Sequence, residues 1–83
     1  MTTTMTVADA IHALEDFRAR PTAIRTLIRR GQSAVDPLLA ALSSTNSSVV
    51  WSAIRVLGAL VDERAIAPLQ EKADDPEYAS VAV

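Results

Sequence analysis

The side chains able to do chemistry in this 83-residue chain are few, and their spacing does not gather them. His12 is the single histidine, and beside Ile11 it is expected at the surface or boundary of a helix. Asp62-Glu63 and Asp74-Asp75 are adjacent carboxylate pairs. Neighbours on a helix point apart, so these pairs suit helix N-termini, where the dipole favours negative charge, better than a metal ion. There is no cysteine, which removes disulfides, thiolate metal sites and cysteine nucleophiles together. The serines and threonines near the ends and in the 43–48 segment have no base close in sequence, and no glycine-rich phosphate loop is present. The expectation is therefore a protein without catalytic, metal or cofactor residues, one that binds rather than catalyses.

The charge is uneven. Residues 1–31 carry five arginines (18, 20, 25, 29 and 30) against three acids, a balance of +2, while residues 32–83 carry three bases against seven acids, a balance of −4. Solvated helix faces account for most such patterns, but the asymmetry also suits steering of a charged partner or head-to-tail contact between copies. With a pI near 5.1 and one tryptophan, the extended basic track that nucleic acid demands is lacking. No apolar run reaches the roughly 18 residues of a membrane span. The first residues do not pair a basic cluster with an apolar stretch as a signal peptide does. A cytoplasmic protein is expected.

The elements that must position these residues are helical. Hydrophobic residues are 49% of the chain and glycines number two, a composition for helices in one globular unit. Ala34-Val35-Asp36-Pro37-Leu38 recurs as Ala65-Ile66-Ala67-Pro68-Leu69, a shift of 31. Ala23-Ile24-Arg25-Thr26-Leu27 recurs as Ala53-Ile54-Arg55-Val56-Leu57, a shift of 30. Two matches at nearly one period indicate helix pairs stacked side by side. Apolar residues recur at i, i+3, i+4, i+7 in Val35, Leu38, Leu39 and Leu42, and similarly in Val49, Ala53, Val56, Leu57 and Leu60. Val7, Ile11, Leu14 and Phe17 or Arg18 continue the pattern upstream. Thr6 with Asp9, and Ser33 with Asp36, resemble capping boxes. Pro21 and Pro76 suit first turns, and Gly31 suits a C-terminal cap. The spacing predicts six helical segments, 6–18, 21–30, 34–43, 47–61, 63–73 and 76–82. They form one domain over 1–83, with a capping unit at 6–30, a complete unit at 34–61 and an incomplete one at 63–83.

The stretch Ala34 to Ile66 resembles the short HEAT-like repeat known from phycobilisome bilin lyases and many bacterial scaffolds. The positions that carry the likeness are Ala34, Val35, Leu38 and Leu42, then Val49, Ser52, Ala53, Leu57 and Gly58, then Asp62, Arg64, Ala65 and Ile66. The usual Asp-Pro-Asp loop of that repeat is replaced by Ser44-Thr45-Asn46-Ser47. The resemblance implies an all-α, right-handed α–α superhelix of about two and a half helix pairs. It is specific for fold and weak for function.

The resemblance also implies that the second helix of each pair lines the binding face. The matching positions are Val50, Trp51, Ile54 and Arg55, with Arg20, Ile24, Arg25 and Ile28 on the preceding second helix. Val50, Trp51 and Ile54 lie off the stripe of Val49, Ala53, Val56 and Leu57, so part of this set is expected to face outward as an apolar cluster flanked by arginines. The residues expected to bind protein are therefore Val50, Trp51, Ile54, Arg55, Ile24 and Arg25. The function expected is a scaffold for a partner protein. Alternatives are an accessory subunit of a bilin lyase or related modifying complex, suggested by resemblance alone, and a self-assembling module. In the last, Ile66, Leu69, Tyr78, Val81 and Val83 would be buried between copies.

Overall fold

The computed structural model describes residues 5–78. It is all-α: α1 (Val7–Ala13), α2 (Arg20–Arg30), α3 (Val35–Ala41), α4 (Ser47–Leu60) and α5 (Ile66–Ala73), with 3-10 turns at Gly31–Ala34 and Glu63–Ala65 leading into α3 and α5. α1 pairs with α2 and α3 with α4; α1 also lies beside α3, and α2 beside α4. First helices thus form one layer and second helices the other, as a short helical repeat requires. The Cα envelope measures 44 × 25 × 16 Å. Its thin dimension matches two helix layers, since axes about 9 Å apart plus a Cα radius of about 2.3 Å on each side give about 14 Å.

The repeat seen in the sequence is a repeat of burial. Ala23 and Ala53, Leu27 and Leu57, and Ala34 and Ala65 are all buried, each pair holding the same place in successive units. The backbone repeats as closely. Ala34 has φ −90°, ψ −12° and Ala65 has φ −89°, ψ −11°. Pro37 and Pro68 sit in the first turns of α3 and α5, where a missing amide hydrogen leaves no helix bond unmade.

The ends of the helices show which local signals operate. Thr6 and Asp9 form the predicted capping box: Thr6 Oγ1 accepts from the Asp9 amide at 3.1 Å, and the Asp9 carboxylate accepts from the Thr6 amide at 3.4 Å. The box expected at Ser33 and Asp36 does not form. Ala34 is the cap residue of α3, and the Val35 amide donates to the Gln32 carbonyl within the preceding 3-10 turn, so the chain enters the helix with amides already engaged. Gly31 ends α2 at φ +60° as expected, a backbone region open to glycine because it lacks Cβ. In the Ser44-Thr45-Asn46-Ser47 segment that replaces the usual loop, the Asn46 side chain accepts from the Ser48 and Val49 amides at 2.9 and 3.4 Å and starts α4.

The first helix is shorter than the predicted 6–18. After Ala13 the amides of Leu14, Glu15 and Asp16 bond three residues back, and the Asp16 carboxylate takes the Arg18 amide at 2.9 Å. The chain therefore winds more tightly, and an Asp side chain competes with the helix for backbone donors. The helical phase is lost beyond Leu14, and Phe17, expected on the apolar stripe, is 81% exposed. The predicted helix at 76–82 falls largely outside the described residues; its visible start, Pro76 to Tyr78, is a turn.

Candidate protein-binding cleft

Two clefts that share Arg20, Ile24 and Arg55 run along the second-helix layer. One, of about 320 Å³, lies between α2 and α4 and is lined by Arg20, Ile24, Ser47, Ser48, Trp51, Ser52 and Arg55. The other, of about 650 Å³, continues it over the turn between α1 and α2, past Phe17, Arg18 and Pro21. Together they make one groove lined by apolar side chains, serines and guanidinium groups.

The predicted binding residues divide sharply. Trp51 is 42% exposed, Arg55 is exposed, and Ile24 is half-buried beside them. Val50 and Ile54 are not surface residues, at 1% and 2% exposure. Part of the set faces outward, but α4 packs closely against two helices, α3 and α2. At about 100° per residue its buried positions Val49, Val50, Ser52, Ala53, Ile54, Val56 and Leu57 cover an arc of about 200°. Trp51, Arg55, Gly58 and Ala59 lie in the remaining arc, with Ser47 and Ser48 of the first turn. Arg25 is exposed but lines neither cleft; Arg20, one helical turn and a residue earlier, takes that role.

Arg20 is held in place. Its Nε donates to the Leu14 carbonyl at 2.9 Å, the one hydrogen bond its side chain makes among the described residues. Its Nη groups make no hydrogen bond among the described residues. Ser52, buried in the wall, satisfies its hydroxyl by donating to the Ser48 carbonyl at 2.8 Å. At the rim, Ser47 Oγ donates to Glu77 at 3.0 Å.

Phe17 and the serines lining the cleft are not among the residues predicted to bind. The apolar spacing places Phe17 on a core stripe only if α1 has an extra turn, and Asp16, whose carboxylate takes the Arg18 amide, is the signal against that turn. Tyr78, expected to await another copy, is 7% exposed within this chain's own core, with the Lys72 ammonium 5.2 Å from its ring centroid. Val81 and Val83 lie outside the described residues. His12 is exposed on α1, its Nδ1 3.3 Å from Glu15.

A two-layer stack of helix pairs, with a cleft along its second helices, defines a helical-repeat protein. The family model described as HEAT repeats matches residues 5–82, and the chain belongs to that family. HEAT repeats commonly mediate protein–protein interaction. No curated protein and no solved structure matches the chain. No helix among the described residues is long and apolar enough to cross a membrane.

Proposed function

We propose that the chain is a protein-interaction module, not an enzyme, and that it docks a partner protein in the groove between α2 and α4. The observation that carries this reading is Trp51. A tryptophan in a helix whose other large apolar side chains are nearly all buried stands 42% exposed, over a cleft bordered by Arg20 and Arg55. Tryptophan and arginine dominate the energetics of protein interfaces, because each offers a large contact area with directed donors. Phe17 extends the apolar surface along the groove. The fit to the family is general: stacked helix pairs present a continuous face that a partner can follow.

The test is capture of partners by the wild-type chain and by Trp51→Ala, with circular dichroism on both. A partner held by the wild type should lose about 30-fold in affinity to the variant, the effect of removing a hot spot worth about 2 kcal/mol. Equal capture at equal helicity would move the binding face elsewhere.

A further inference from the structure

The charge lining the groove defines its occupant further. Six of the seven arginines (18, 20, 25, 29, 30 and 55) have no side-chain carboxylate within 4.0 Å; Arg64 alone is paired, and it takes two, Asp62 and Asp36. Carboxylates are not scarce, since the chain has ten, all at described positions. They are placed elsewhere, and none lines either cleft, whereas Arg18, Arg20 and Arg55 do. We infer that the groove takes an acidic segment of a partner protein, in which carboxylates flank a bulky apolar side chain. This rests on the docking reading given above.

Each part of the groove matches one part of such a segment. Arginine's planar fork suits a carboxylate, binding it through two parallel hydrogen bonds. Arg20 is pre-positioned for this by its bond to Leu14, so less side-chain freedom is lost on binding. Trp51, Ile24 and Phe17 offer the apolar seat between the guanidinium groups. A nucleic-acid strand fits less well. Three arginines neutralise few phosphates, and the −4 balance over residues 32–83 repels a polyanion that runs on past the groove.

The probe is a display library of random dodecapeptides, panned against the wild-type chain and against Trp51→Ala. Enriched peptides are then titrated beside counterparts in which every Asp and Glu is replaced by its amide. The expected peptides depend on Trp51, carry Asp or Glu around Leu, Ile, Phe or Trp, and weaken about ten-fold or more as amides, the scale of one lost charge-assisted pair. Arg18→Glu with Arg55→Glu should weaken them at least as much. Arg55→Gln should have a smaller effect of the same sign, and Arg29→Glu, on a separate cleft with Met5 and Arg30, should leave binding within about two-fold. Trp51-dependent peptides that are neutral or basic would overturn the acidic segment and leave the docking reading standing. Absence of any Trp51-dependent peptide would overturn both. A single-stranded oligonucleotide of equal charge that displaces the enriched peptides would overturn the protein partner in favour of nucleic acid.

Discussion

Val61 closes α4 in the left-handed region, at φ +51°, ψ +57°, where a β-branched side chain crowds its own backbone. The side chain is 85% exposed and recovers little by burial. Glycine would remove a strain of about 1–2 kcal/mol, against about 0.5–1 kcal/mol of extra freedom in the unfolded chain. Val61→Gly is therefore expected to stabilise the fold by about 0.5–1 kcal/mol, read as a rise in the urea midpoint with an unchanged slope. Single residues also mark where the sequence is silent. The repeat makes Trp51 and Arg55 readable as outward positions, because they lie off the stripe of Val49, Ala53, Val56 and Leu57. It cannot separate them from Val50 and Ile54, since how wide an arc is buried depends on how many helices flank α4, and that is a property of the stack.

At the scale of elements, α4 is the centre of the molecule. It supplies the wall of the groove and seven buried residues: Val49, Val50, Ser52, Ala53, Ile54, Val56 and Leu57. Its start depends on Asn46, whose side chain accepts from the Ser48 amide and shares the Val49 amide with the Asn46 carbonyl. Asn46→Ala should cost about 1 kcal/mol. That would lower the thermal midpoint by about 4–8 °C in a domain of this size, while Thr45→Ala, on the exposed neighbour, should have little effect. Helices with strong period and a clear cap were legible: α2, with its proline start and glycine end, and α4 lie within a residue of their predicted bounds. The apolar spacing carries α1 on to Phe17, but the chain tightens from Leu14 and the Asp16 carboxylate takes the Arg18 amide. The box at Ser33 failed for a similar reason: a 3-10 turn supplied the carbonyls first.

Across the whole molecule, one ion network links successive units. Arg64, in the turn before α5, reaches Asp62 at 3.0 Å and Asp36 of α3 at 3.2 Å. The hydrogen bond from the Arg64 side chain, and then that from its backbone, hold the Asp62 carboxyl below its ordinary value of 3.8. Asp62 raises the Arg64 guanidinium in turn, so Arg64 stays charged throughout the accessible range. A lowered carboxylate contributes its stability in full above its ordinary value, and loses it as the pH falls from there through the folded value. Asp62→Asn keeps an acceptor for the Arg64 amide but removes the charge. It should lower the thermal midpoint at neutral pH, with the gap from wild type closing as the pH drops below about 4. An unchanged gap at low pH would mean that the Asp62 charge is not what holds Arg64 in place.

The matched junctions at Ala34 and Ala65, equal within a degree in φ and ψ, make the length of this protein a separable trait. A chain leaving either junction enters its next helix through the same local backbone turn, so duplication or removal of a whole unit would keep each helix in phase with its neighbour. A partial insertion would rotate every later apolar face away from the stack. Growth by gene duplication is thus permitted only in whole steps of about thirty residues, and each step would lengthen the groove without rebuilding it.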